Sequence, residues 1–146
     1  MANTKTVSIT ASMGEGMRID SDVRGHAMSI DQPQAKGGTD AGPTPLEYLA
    51  LSLAGCIGSI ARIIAMQKQL SLRGLTVSVS GDIDLDVLLG KNQENRAGFG
   101  GFDLEVKLDC DMSRDEQQDF IEEVEARCPV SENLVNATPV KIALAD

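Results

Sequence analysis

A long, capped and almost uncharged helix is the feature that most limits what this chain can become. Thr44 suits the N-cap position, and Pro45 suits the first helical position because an amide hydrogen there would be unpaired anyway. Glu47 completes a Thr-x-x-Glu capping box. No charged residue occurs over residues 48–61. This uncharged run is too short to span a bilayer, so we interpret it as the buried axis of a soluble domain.

Length and charge limit the class of protein further. A chain of 146 residues predicts a single domain over 1–146 that can bury a core without metal or disulfide support. A net charge of -9 argues against binding to nucleic acid or to an anionic membrane surface. The N-terminus lacks the apolar stretch of a signal peptide, so we expect a cytoplasmic protein. In that reducing compartment, pairing between any of the three cysteines indicates redox chemistry.

Alternating and helical patterns predict an α+β fold with an antiparallel sheet and segregated helices. In chain order we expect strands over residues 5–12, 17–19 and 24–30, the long helix from 45 to about 69, strands over 75–83 and 102–110, a helix that Ser113 caps and Cys128 ends, and a strand over 140–144. The helix after Ser113 places Phe120, Val124 and Cys128 on one face, at spacings of four.

The long helix needs more cover than one sheet provides. Small or polar residues form a single stripe along it, at steps of four and three, and the rest of its circumference is apolar: Tyr48, Ser52, Gly55, Ser59 and Arg62. We therefore expect a second subunit. Gly55 and Gly58 would let a neighbouring backbone come close to Cys56.

Cys56 has two interpretations. It is a small hydrophobic core residue, or it is a nucleophilic thiol, and the second requires that something lower its pKa. The helix dipole does not do so, because Cys56 lies twelve residues beyond Thr44 and the effect fades within the first turn. Burial raises the pKa of a thiol. A reactive Cys56 therefore needs a cation from elsewhere, and Arg18 and Arg24 in the N-terminal strands are the candidates.

Other candidate side chains carry weaker arguments. Glu47 lies on the side of the helix opposite Cys56 and about 13 Å from it along the axis, so capping explains it without a catalytic role. Cys128 ends a helix, where the dipole disfavours a thiolate, so it suits a resolving cysteine better than a nucleophile. Cys110 is in phase with the core residues of its strand. His26 is the only histidine, and no zinc-binding spacing is present, so we expect no metal and no Cys–His hydrolase.

Several segments together resemble the OsmC/Ohr family. They are RGHAMSID at 24–31, GGTDAGPTPLEYL at 37–49, LAGC at 53–56, RAGF at 96–99 and RCPVS at 127–131. The resemblance covers roughly residues 24–142, and both cysteine motifs occur in the family's order. The RAGF segment is similar to an uncharacterised OsmC-like branch of the family.

The resemblance implies an OsmC-like fold, an intertwined homodimer with the long helices at its centre, and thiol-dependent reduction of organic hydroperoxides. In that scheme Cys56 attacks the peroxide, Cys128 resolves the sulfenic acid as a disulfide, and a small dithiol of the lipoyl type restores both, with no bound cofactor. The family's reductases place a glutamate directly after the helix-opening proline, paired with a strand arginine. Here Leu46 occupies that position and Glu47 follows it.

Two other function classes stay open beside this one. A non-catalytic protein could hold a lipid or another small molecule in an apolar pocket at the dimer interface, and its cysteines would then be dispensable. A metal-dependent hydrolase would need ligands that the sequence does not supply.

Overall fold

The computed structural model describes all 146 residues. The chain forms two compact units, Met1–Leu49 and Ala50–Asp146. Antiparallel sheets and one long helix make up an α+β fold, as the sequence predicts. The interpretation of 1–146 as one domain stays a prediction.

The first unit contains a three-stranded antiparallel sheet, in the order β1-β2-β3. Its strands are β1 (Ala11–Met13), β2 (Ile19–Val23) and β3 (His26–Ile30), followed by a short 3-10 helix over Gln34–Lys36. Val23 pairs with His26, so Arg24 and Gly25 form a two-residue hairpin turn. Both have positive φ, 56° and 86°, which is the requirement of a type I′ turn.

A buried carboxylate organises the loop between β3 and the long helix. Asp31 is 1% exposed and accepts hydrogen bonds from the amides of Gln32, Thr39 and Ala41 and from the Thr39 hydroxyl, at 2.6 to 3.1 Å. The Thr39 hydroxyl and the Ala41 and Gln32 amides hold the pKa of Asp31 down at about 2. A Cβ on Gly38 would lie 1.9 Å from the Gln32 carbonyl oxygen, so the loop closes tightly only with glycine there.

The long helix α1 spans Pro45–Lys68, and its predicted capping box is confirmed. The Glu47 carboxylate accepts from the Thr44 amide at 2.7 Å, and the Thr44 hydroxyl accepts from the Glu47 amide at 3.3 Å. The helix ends where Gln69 adopts a left-handed conformation with φ of 55°. The predicted end of the helix at about residue 69 is therefore confirmed.

Only one stripe of α1 is buried within the chain, formed by Leu53, Ile57, Ala61, Ile64 and Ala65. Leu51 and Met66, on other faces, are 61% and 72% exposed. With 24 residues and a mean hydropathy of 1.9 in its most apolar window, α1 is long and apolar enough to cross a membrane. The prediction that the uncharged run over residues 48–61 is too short to span a bilayer concerned only part of this helix. Core helices of soluble proteins share this property, so it is weak evidence of a membrane span.

The second unit pairs one hairpin with two further helices. Its elements are β4 (Leu72–Ser80), α2 (Leu85–Leu88), β5 (Asp103–Cys110), α3 (Arg114–Arg127) and α4 (Pro129–Val135). β4 and β5 pair antiparallel, with Val77 opposite Val106. The predicted capping box of Ser113 and Glu116 opens α3. The core contains Ile57, Ala61, Ile64, Ala65, Leu72, Phe120, Val124 and Cys128, so the predicted apolar face of α3 is confirmed.

The predicted strands at both ends of the chain are largely absent. Only Ala11–Met13 of the first is paired, and residues 137–146 contain no strand. The alternating side chains of these segments are exposed: Val7 81%, Ile9 60%, Val140 81%, Ile142 95% and Leu144 100%. Alternation predicts a strand only where a neighbouring strand supplies a ladder of hydrogen bonds, and no strand of this chain pairs with residues 5–10 or 137–146.

Candidate functional site

Cys56 lies near the middle of α1, half-buried against the hydrophobic core of the second unit. The glycines beside it leave space. A Cβ on Gly55 would meet nothing within 4 Å, and one on Gly58 would meet only the Leu75 side chain, at 3.8 Å. No backbone of this chain therefore makes the close approach that the two glycines would permit.

Cys128 lies at the junction of two helices. It ends α3 and serves as the N-cap of α4, with extended backbone angles of -81° and 108°. The Ser131 amide donates to Cys128 Sγ at 3.4 Å, and the residue is 1% exposed. The description of Cys128 as only a helix end was incomplete. Pro129 does end α3, but its fixed φ also suits the first position of a new helix.

The structure brings Cys56 and Cys128 together. The Cys128 side chain and the Val130 amide both lie close enough to the Cys56 thiol to shift its pKa. Burial raises the pKa of Cys56, and the hydrogen bond with Cys128 raises it further, while the Val130 amide opposes them. All three cysteines are free thiols. The second unit therefore holds two adjacent reduced thiols, one of which needs added positive charge to ionise at neutral pH.

The two candidate arginines belong to the first unit and lie beside strands, not within them as expected. Arg18 precedes β2, and its Nε donates to both carboxylate oxygens of Asp20, at 2.9 and 3.0 Å. Its Nη2 also donates to the Ser29 hydroxyl at 3.4 Å. Arg24 occupies the exposed turn between β2 and β3. Activation of Cys56 by either arginine stays a prediction, as does any role of Glu47 beyond its cap.

A charged network beside Cys128 was missed by the sequence analysis. Arg127 donates to Glu123 at 3.1 Å and to the Gln67 side-chain oxygen at 3.0 Å, and Lys68 also pairs with Glu123. These contacts tie the last turn of α1 to the last turn of α3, and so help to set the position of Cys128. The spacing of Glu123 and Arg127 by four residues was the available signal.

The remaining candidates lie apart from this pair. Cys110 ends β5, opposite Leu72, and packs half-buried against the core, which agrees with its predicted core position. His26 is exposed on β3. No group of three or more His, Cys, Asp or Glu side chains is arranged to hold a metal ion.

An α+β chain with one long helix and two neighbouring cysteines can be compared with known proteins that share these features. The sequence profile described as "OsmC-like protein" matches residues 37–143, more than half of the chain. The protein therefore belongs to the OsmC-like family, as the motifs indicate.

Individual relatives are distant but match along most of their length. The organic hydroperoxide resistance protein OhrB of Bacillus subtilis is 25% identical over 142 residues, which cover 95% of this chain and 96% of OhrB. The crystal structure of an OsmC-like protein from Mycoplasma pneumoniae superposes with a TM-score of 0.78 at 24% identity, over 91% of this chain and 89% of the other. An organic hydroperoxide resistance protein from Elizabethkingia anophelis gives 0.69 at 22% identity, over 94% and 93%. These two structures establish the fold alone.

Proposed function

We propose that this protein reduces organic hydroperoxides with Cys56 as the attacking thiol and Cys128 as the resolving thiol, in defence against oxidative stress. The observation that carries the proposal is that the two reduced cysteines are neighbours, close enough for Cys128 to shift the pKa of Cys56. Membership of the OsmC-like family and the likeness to OhrB, an organic hydroperoxide resistance protein, support it.

The proposed cycle uses only thiol chemistry. The Cys56 thiolate attacks the terminal peroxide oxygen, the O–O bond breaks, and the alkoxide takes a proton and leaves as an alcohol. The Cys128 sulfur then attacks the sulfenic sulfur of Cys56, so that an S–S bond forms, the S–O bond breaks and water leaves. A small dithiol of the lipoyl type reduces the disulfide by exchange. We expect no bound cofactor and no metal in this cycle.

Ionisation of Cys56 is the step that most needs help. Burial and Cys128 both raise its pKa, so the Val130 amide alone is a weak counterweight. A guanidinium placed near the sulfur would lower the pKa, and Arg18 or Arg24 would supply it. Arg18 already pairs with Asp20, whereas Arg24 extends from an exposed turn.

The proposal includes a homodimer with an organic hydroperoxide as substrate and no nucleic-acid or membrane partner. A second copy would cover the exposed apolar side chains of α1 and would offer strand partners to the unpaired segments around Ile9 and Ile142. Light scattering after size-exclusion chromatography tests this directly, since a stable monomer at micromolar concentration would contradict it. A cytoplasmic location, whose reducing conditions suit a recycled thiol pair, is part of the same proposal.

The activity test follows consumption of cumene hydroperoxide with dihydrolipoamide as the reductant. We expect Cys56→Ser to abolish turnover and Cys128→Ser to prevent recycling through the disulfide. Cys110→Ser is the matched control and should keep wild-type turnover, because that cysteine belongs to the packed end of β5. Wild-type turnover by Cys56→Ser would refute the proposal.

The alternative is a non-catalytic protein that binds a lipid or another small molecule at the dimer interface. The broad exposed apolar surface of α1 is the observation that favours it. Native mass spectrometry of the purified protein would then detect a bound molecule, and the double variant Cys56→Ser/Cys128→Ser would retain it.

A further inference from the structure

We propose that Cys128 is a redox-linked helix cap: its reduced sulfur stabilises the first turn of α4, and formation of the Cys56–Cys128 disulfide withdraws that cap. The inference rests on the proposed pairing of the two cysteines. It adds a structural consequence, a loosening of α4 in the oxidised protein, to the proposed chemistry.

The Cys128 sulfur has two neighbours in the reduced protein. It accepts a hydrogen bond from the Ser131 amide at 3.4 Å, the side-chain contact that an N-cap residue makes with the first helical turn. It also lies close enough to the Cys56 thiol to shift the pKa of that thiol. One atom therefore serves both the local structure of α4 and the proposed reaction.

Disulfide formation with Cys56 changes the hydrogen bond between the Cys128 sulfur and the Ser131 amide. An S–S bond is about 2.05 Å long, much shorter than any hydrogen bond between thiols, so the two sulfurs must move towards each other. The position of the Cys128 sulfur is then set by its bond to Cys56 and no longer by the Ser131 amide. The disulfide also restricts the dihedral angle about the S–S bond, so the Cys128 side chain no longer favours the rotamer that caps α4.

The structure indicates which side gives way. Cys56 lies within a helix of 24 residues whose buried stripe packs in the core. The α4 helix has only seven residues, Pro129–Val135, and none of them is fully buried. Short helices are only marginally stable without tertiary support. We therefore expect disulfide formation to displace residues of α4 and not those of α1. The loss of a cap therefore falls on a short helix, of which only Val130 packs against the hydrophobic core.

Residues beyond α4 are attached through the same helix. The Thr138 hydroxyl donates to the Asn133 side chain at 2.6 Å, and the Asn136 amide donates to the Glu132 carbonyl at 3.0 Å. After these contacts the chain continues into the exposed apolar segment that includes Val140. A change in α4 therefore reaches the start of the C-terminal segment.

Hydrogen exchange of the full-length protein tests the inference, with diamide as the oxidant. Diamide takes two electrons and two protons from a thiol pair and leaves as a hydrazine, so the test does not depend on peroxide chemistry. We expect roughly fivefold faster exchange of the α4 amides at residues 131–136 in the oxidised protein, the factor typical of one lost N-cap. Exchange in α3 should not change.

Two variants serve as matched controls. Cys56→Ser keeps the cap and cannot form the disulfide, so diamide should leave its α4 exchange unchanged. Cys128→Ser replaces the sulfur by a hydroxyl that also caps helices, and it too should be insensitive to diamide. Acceleration in either variant that matches wild type would overturn the inference, because the effect would not depend on the disulfide.

The outcomes separate this inference from the proposed function. If the protein forms the Cys56–Cys128 disulfide but the hydrogen exchange of α4 does not change, the inference is overturned. The proposed peroxide turnover is unaffected by that result. Absence of that bond after diamide would overturn it as well. Faster α4 exchange without any peroxide turnover would support the inference and refute the proposed function.

Discussion

Val124→Ala measures how firmly the core holds the helix that ends at Cys128. Val124 is 0% exposed and lies one turn before Cys128, in the same cluster as Phe120 and Ile57. The substitution removes two buried carbon atoms, at about 0.8 kcal/mol each, or about 1.6 kcal/mol of transfer free energy. A void of about 45 Å³ that does not collapse adds about 1 kcal/mol. We expect a loss of about 2.5 kcal/mol in the free energy of unfolding.

Urea unfolding followed by far-UV circular dichroism is the suitable assay, because the chain has no Trp and one Tyr. Protomer concentration must be held equal, since dimerisation would add to the apparent stability. Val135→Ala is the matched control: it removes the same atoms at a position that is 76% exposed, and should change the stability by less than about 0.5 kcal/mol. Equal losses from the two variants would refute the reasoning.

Three further predictions follow from individual contacts. The lowered pKa of Asp31 contributes stability that is present above the ordinary aspartate pKa of 3.8 and is lost as the pH falls towards about 2. Asp31→Asn should therefore be less stable at neutral pH, and its urea midpoint should depend less on pH in acid. An unchanged pH dependence would contradict this. Thr44→Ala should cost about 1 kcal/mol in the same assay, whereas Glu47→Gln, which keeps a capping-box acceptor, should cost less; the reverse order would contradict the cap. Cys128→Ala removes a hydrogen bond that raises the pKa of Cys56, so alkylation of Cys56 by iodoacetamide should reach its half-maximal rate at a lower pH, and a shift to higher pH would be the contrary result.

The features that the sequence predicted correctly depend on local signals. Both capping boxes involve residues three positions apart, and they formed as expected at Thr44 and at Ser113. The apolar face of α3 follows from spacings of four, and the strands β4 and β5 each follow from alternation within their own segment. In each case the residues that decide the structure are close in sequence.

The features that were missed depend on alternatives that the pattern does not resolve. Pro129 ends one helix and begins another, and only the first effect was predicted. Gln69, rather than a glycine, takes the left-handed conformation that ends α1. The segment over 140–144 alternates like a strand but has no neighbour in this chain. The Arg127 network includes a contact with Gln67, sixty positions away, and the local spacing of Glu123 and Arg127 signals only one of its pairs.

The contact between the two cysteines was expected from the family resemblance, and no spacing in the sequence leads to it. Cys56 and Cys128 reach each other because the core joins α1 to α3 and because the network around Glu123 fixes the ends of those helices. The source of positive charge for Cys56 was likewise argued from chemistry, and it stays a prediction.

Disulfide mapping after one equivalent of cumene hydroperoxide tests the central claim most directly. The oxidised protein is digested without reduction, and the linked peptides are identified by mass spectrometry. The account predicts an intramolecular Cys56–Cys128 bond in nearly every chain, with Cys110 unmodified. A bond that includes Cys110, or a Cys56 that stays reduced while peroxide remains, would contradict it.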